Sequence, residues 1–269
     1  MKRPLAYFAL ALVAALASYA WRPTRADFSA RADYTPTQAS HPTCAAQSPG
    51  ALPVAPPPLE RGTTLLCYDE FVVKFSGISR TPIWSAERLD EQRVLAARTL
   101  LRVDSFHPDP TLGEQLGPTL SDFRGSRMDR GHLSPNGDMS SPQAAYQSFS
   151  LANIVPQDPQ HNRRLWADIE TAVRRAASHS DVYVVTGPLF IGAQLRRLNQ
   201  RVLVPTHLYK AVYAPRSGLA GVYVSPNEPD QTYETLSLAD FAARYGIVPF
   251  PDAGTARNSL SLPSVVRHR

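Results

Sequence analysis

The chain has 269 residues, 43% of them apolar, and a formal net charge of +5. Neither value is extreme, which excludes a wholly disordered chain and leaves room for one sizeable core. Of the 28 basic residues only Lys2, Lys74 and Lys210 are lysines. Arginine suits phosphate oxygens, although a genome-wide preference for Arg codons explains the bias equally well.

The N-terminus has the composition of an export signal. Lys2 and Arg3 precede an apolar run from Leu5 to Ala20, and Ser18-Tyr19-Ala20 sets small residues at −3 and −1 for cleavage after Ala20. We read residues 1–20 as a signal peptide and the mature chain as periplasmic or secreted. It then keeps 26 basic against 23 acidic residues, or +3, and has no stable membrane partner. An uncleaved tether, with Trp21 and Arg22 at the interface, is the alternative. Residues 21–62 are proline-rich and read as an extended arm or linker. Cys44 and Cys67 are the only cysteines, and in an exported chain an even pair points to one disulfide.

Residues 63–251 carry the pattern of a folded domain. Phe71 to Phe75 reads as a strand, and Ile83 and Trp84 as a second one beyond the Gly77 turn. Asp90 to Leu101 reads as a helix, which His107-Pro108-Asp109-Pro110 keeps from continuing. Phe149, Leu151 and Asn153 alternate with Ser148, Ser150 and Ala152, a candidate strand ending at Pro156. Leu165, Trp166, Ile169, Val173 and Ala177 recur at helical spacing within 162–177. Strands are expected over Val182 to Thr186, Val202 to Val204, Leu208 to Tyr213 and Leu219 to Val224, then a helix from Leu238 to Tyr245. Residues 252–269 form a basic tail, expected to be frayed. No strand–helix alternation runs through this order, so the class is α+β with a mixed or antiparallel sheet.

One constellation carries chemistry. Met128-Asp129-Arg130-Gly131-His132-Leu133-Ser134-Pro135 lies within about forty residues of Asn153, Asn162 and Glu170. A phosphodiester resists attack because its own charge repels nucleophiles. A neutral imidazole, His132, can take a proton from water, and either Asp129 or a backbone carbonyl could fix its tautomer. Arg130 can grip phosphate oxygens, and Gly131 lets backbone approach closely. Asn162 can offer a neutral oxygen to Mg²⁺ or Mn²⁺ without cancelling its charge. Glu170, two turns further along, can hydrogen-bond the cation's waters, and Asn153 can orient water or phosphate. Alone, each is ordinary: a turn with an ion pair, a helix N-cap at Asn162, a surface carboxylate, a hydrogen-bonding strand end. Of the other histidines, His107 and His161 read as turn residues, His207 as a strand start, and His41, His179 and His268 as surface positions.

The segments DRGHLSPNGDM, FSLANIVPQ and Asn162-x-x-x-Trp166-x-x-x-Glu170, with SGISRTPIWSAERL and YVVTGPLF, resemble the DNA/RNA non-specific endonucleases of the ββα-metal, or His-Me finger, superfamily. The likeness spans roughly Leu65 to Phe250. It implies a ββα-metal finger and Mg²⁺-dependent hydrolysis of DNA and RNA, giving 5′-phosphate ends, with the polymers held by their phosphates. His132 would be the general base and Asn162 the direct metal ligand. Glu170 would bind the metal's waters, Arg130 would stabilise the transition state, and Asn153 would support the site. A further Arg is expected upstream, with Arg102, Arg80 and Arg127 as candidates. The rival readings are a catalytically silent nucleic-acid-binding module and a phosphodiesterase acting on small esters.

Overall fold

Residues 42–229 and 231–267 are described by a computed structural model, and all of them belong to one unit, Thr37–Arg269. The signal-peptide reading, the first half of the proline-rich arm, His41 and His268 lie outside the described residues. None of the described helices is long and apolar enough to cross a membrane.

Strand-forming residues over 63–89 build an antiparallel meander of β1 (Thr63–Cys67), β2 (Val72–Ser76) and β3 (Thr81–Leu89). Asp90 then caps the helix α1 (Glu91–Ala97), its carboxylate accepting from Arg93 N–H. β4 (Asp129–His132) pairs with β5 (Ile154–Gln157) as a separate two-stranded ribbon. A continuous helical run follows: Pro159–His161, a π-helical turn Asn162–Trp166, and Ala167–Ala177, together termed α2. β6 (Val182–Leu189), β9 (His207–Ala214), β10 (Leu219–Pro226) and β11 (Glu234–Leu236) complete the main sheet, and β7 (Arg197–Leu198) pairs with β8 (Val202–Leu203) in a small hairpin. The order β1-β2-β3-β6-β9-β10-β11 is antiparallel throughout, and the fold is α+β.

Period-two alternation gives this sheet two buried faces. Trp84, Ala86, Val185, Tyr209, Ala211 and Val222 face Leu238 and Phe241 of α3 (Leu238–Tyr245). Leu89, Val182, Val184, Leu208 and Val212 face Leu165, Trp166, Ile169 and Val173 of α2. Burying a side chain such as Ile169 completely contributes about 2–3 kcal/mol, which is what fixes α2 to the sheet. The ββα unit of β4, β5 and α2 therefore sits on one face only.

Several expectations are corrected. Residues 42–62 are docked, not a free linker: Cys44 is fully buried in the α3-side core, disulfide-bonded to Cys67, and Val54 bridges to Val248. The segment 148–153 is no strand; Ser148 ends a helix (Pro142–Ser148), Leu151–Asn153 is a 3₁₀ turn, and the strand starts at Ile154. The strand at Val182 runs on to Leu189, paired with β9 from Tyr183 onward, and Gly187 lies so close to the Tyr209 ring that an added Cβ would stand 2.6 Å from it. The tail is not frayed over its first part, since Ser261 bridges to Ala220 and Leu262 packs on the core.

Candidate active site on the ββα finger

Strand alternation sorts the Asp-Arg-Gly-His segment onto two sides. Arg130 and His132 point one way, Asp129 and Gly131 the other. On the first side His132 is packed by Phe106 and Phe149, with ring centroids 5.4 Å and 5.1 Å away. Arg130 lies over the Phe106 ring at 4.1 Å and Arg102 over Phe149 at 5.3 Å. The imidazole Nε2 is sealed from solvent and has no hydrogen-bond partner among the described residues. Burial pushes His132 down to about 3, and the Arg102 and Arg130 charges push the same way against Asp104. At neutral pH the ring is an uncharged base.

On the other side Gly131 lies against Gln157, whose Oε1 would stand 2.0 Å from an added Cβ. Glycine is required there by crowding. Asp129 does not reach His132, contrary to the tautomer-fixing role open to it in the sequence. Its carboxylate accepts from Asn162 Nδ2 at 3.0 Å and takes a forked pair from Arg163 at 2.8 and 2.7 Å.

Asn162 is not an N-cap. Asp158 caps α2, accepting from Gln160 and His161 N–H, and Pro159 opens the helix. Asn162 instead begins the π turn. Eight residues of regular helix separate two side chains by roughly 80° beyond two full turns. A π turn holds one extra residue and takes back roughly one residue's rotation of about 100°. Asn162 and Glu170 thus come to share nearly one face.

Glu170 is largely buried, and burial raises its carboxyl above the ordinary value, with Lys210, Arg174 and Arg102 opposing and Asp138 adding. Arg102 acts electrostatically on both His132 and Glu170. Of the three upstream candidates it is the one whose charge reaches both groups, and its side chain is exposed and paired with Asp104 at 2.8 Å. Arg80 instead donates to the Gly117 carbonyl and stands beside Arg201 and Asp122, and Arg127 is exposed.

Asn153 is fully buried, so it does not orient water or phosphate. Its Oδ1 accepts from Ser134 N–H at 3.0 Å, and its Nδ2 donates to the carbonyls of Ser134 at 2.8 Å and Ser148 at 3.0 Å. It clamps the two residues that follow His132 and is a positioning residue. His161, read as a solvated turn residue, is fully buried between Gln157 and Ser225.

No group of three His, Cys, Asp or Glu side chains that could hold a metal occurs among the described residues, so a closed zinc-type site does not fit. A hard cation that keeps most of its waters does fit. With Asn162 Nδ2 committed to Asp129, its Oδ1 is the neutral oxygen donor it can offer. Glu170 follows on nearly the same face to accept from such waters.

The sequence model of the DNA/RNA non-specific endonucleases matches residues 51–244. The chain belongs to this family. It is 35% identical over 215 residues to "Nuclease EXOG, mitochondrial" of Danio rerio, covering 71% of this chain and 62% of that protein. Identity to the Homo sapiens protein of that name is 32%, covering 71% and 58%. "Nuclease C1" of Cunninghamella echinulata var. echinulata is 32% identical over 63% of this chain and 73% of its own. The chain thus spans about three fifths of the EXOG relatives it matches. The fold is similar to a chain in the crystal structure of the EndoG/EndoGI complex, with a TM-score of 0.61 at 24% identity, covering 68% of this chain and 84% of that one.

Proposed function

We propose that this chain is an exported, sugar-non-specific endonuclease that hydrolyses DNA and RNA phosphodiesters with a divalent cation, Mg²⁺ or Mn²⁺. The observation that carries the reading is the uncharged His132 beside two arginines, on a strand whose opposite side holds Asn162 in place. His132, half-buried and uncharged at neutral pH, accepts a proton from the attacking water. Arg130 and Arg102 face the charge that grows on phosphorus, and their aromatic seats keep them directed. Asn162 and Glu170 would hold the hydrated cation, which when bound would neutralise charge on the leaving oxygen. Asn153 keeps the strand end rigid, so the ring stays aligned. The 5′-phosphate polarity and the export follow the family likeness and the N-terminal composition.

Digestion of plasmid DNA and of RNA, with Mg²⁺, with chelator and with His132→Ala, tests the reading. We expect cleavage of both polymers, its loss on chelation, and a fall of roughly 10²- to 10⁴-fold in the variant. Undiminished cleavage by His132→Ala would remove the mechanism.

A further inference from the structure

The β7–β8 hairpin and the segment leading into β4 enclose a groove of about 360 Å³, lined by Arg124, Arg196, Arg197, Ser121, Ser126 and Asn199. Arg124, Arg196 and Arg197 are exposed along it, Arg127 is exposed one residue beyond the lining Ser126, and Arg80 and Arg201 stand at its edge. The carboxylate in the groove, Asp122, is buried and already engaged by Arg201 at 3.1 Å and by Asn199 and Thr119. Five arginines thus stand about one neutralised acid. The guanidinium of Arg80 is lowered by burial and by the charges of Arg201 and Arg197, a sign of cations crowded together.

Backbone strain marks the same place. Of the five described non-glycine residues with positive φ, four are here or next to it in sequence: Arg80, Arg127, Asn199 and Gln200. Such residues cost of order 1 kcal/mol or more each and persist where the surroundings enforce them. The groove is also joined to the catalytic strand. Leu198, Val202 and Val204 of the hairpin share one small core with Ile154, which pairs with His132, and with Met128 and Phe106, which flank it.

We infer that this arginine groove is a second phosphate-binding surface, taking the backbone of the same nucleic-acid strand some nucleotides away from the scissile bond. The inference rests on the endonuclease reading and deepens it. Arginines that grip phosphates without touching the reacting atoms add affinity for polymer and salt dependence, and leave the chemical step alone. A surface evolved for a compact ligand would instead close around it with fixed partners, whereas here Arg124 and Arg127 point to solvent.

The test uses the full chain with Arg124→Ala/Arg196→Ala, and Arg124→Lys/Arg196→Lys as the charge-keeping control. Binding of a fluorescent 20-nucleotide single strand is measured in chelator across salt concentrations. Cleavage is measured on the same strand and on a nitrophenyl phosphodiester. For the alanine pair we expect a salt slope lower by about 1.4, the contribution of two single-strand contacts. We also expect KM for the strand to rise about tenfold, with kinetics on the small diester unchanged. The lysine pair should keep most of the slope. An unchanged salt slope, or equal losses on strand and small diester, overturns the groove. A wild-type chain that binds the strand with the full slope but cleaves neither substrate overturns the endonuclease reading and leaves the groove standing.

Discussion

The two faces of the main sheet differ in what they bury. Toward α3 the side chains are Trp84, Val185, Tyr209, Ala211, Val222 and Phe241, an interior of almost pure carbon. Toward the finger, Ser85, Thr186 and Lys210 stand in one registered row, with Glu87 two residues along β3. Ser85 Oγ lies 2.7 Å from Ser134 Oγ. Lys210 Nζ donates to Thr186 at 2.6 Å and to the Leu133 carbonyl at 3.5 Å, and lies 5.4 Å from the Trp166 ring. Glu87 pairs with Arg93 at 3.2 Å, while Asp138 and Glu170 share Arg174. Both faces supply stability through apolar burial, the finger face through Leu165, Trp166, Ile169 and Val173 against the sheet. The polar face holds the residues next to His132 and sets the charge beneath α2, at some cost in desolvation.

The comparison breaks most visibly on the carbon face. Phe241→Ala should cost about 3–5 kcal/mol, because a fully buried ring leaves a cavity. Chemical denaturation measures this, and the folded fraction should keep its specific activity. Loss of activity per folded molecule would show that the two faces are not separable. Next comes the Cys44–Cys67 disulfide, which ties the docked arm to this face across a separation of 23 residues. Replacing both cysteines with Ala should lower stability by about 3 kcal/mol, again with turnover kept.

Lys210→Met sharpens the contrast from the other side. Removing this cation alone leaves the Thr186 hydroxyl and the carboxyls of Glu87 and Glu170 less compensated, and should cost about 1–3 kcal/mol. Lys210, however, lowers the carboxyl of Glu170 and supports the Leu133 carbonyl. Its loss should reduce kcat about tenfold, equivalent to roughly 1.4 kcal/mol, and move the acid limb of kcat to higher pH. A Tm drop as large as that of Phe241→Ala, with kcat intact, would assign Lys210 to packing alone.

What the sequence made legible was chemistry within one element. His132 and Arg130 can be read from residue type, and α2 from its 3.6-residue period. Relations between elements were not legible. Asp129 serves Asn162 because strand pairing turns it from His132, and nothing in four consecutive letters states that register. The π turn has no residue signature, yet it aligns Asn162 with Glu170. Arg102 comes near His132 only through its tertiary contact with Phe149. Asn153 alternates like a strand residue, but Ser150 Oγ accepting from Ala152 N–H closes a 3₁₀ turn instead. The sequence reading places the start of α2 at Asn162, three residues late, although Asp158-Pro159 is a cap followed by a proline at the first helical position.

The smallest expected effects concern pH, where two groups of the finger side act in opposite directions. His132 is lowered from 6.5 to about 3 by burial and its arginine neighbours. Its contribution to stability is full above pH 6.5 and is lost as pH falls toward 3, because the unfolded chain takes up the proton first. Glu87 is raised above 4.5, chiefly by burial and then by Asp138, against Arg93. Its contribution is full below pH 4.5 and is lost as pH rises through its folded value. Urea midpoints between pH 4 and 8 separate the two: His132→Asn should flatten the acid side, Glu87→Gln the neutral side. The same lowered imidazole keeps kcat/KM on a small diester level from pH 7 down through 6. An acid limb centred at 6.5 would mean that the ring titrates as if in water, and the sealed aromatic seat of His132 would then not be what governs its basicity.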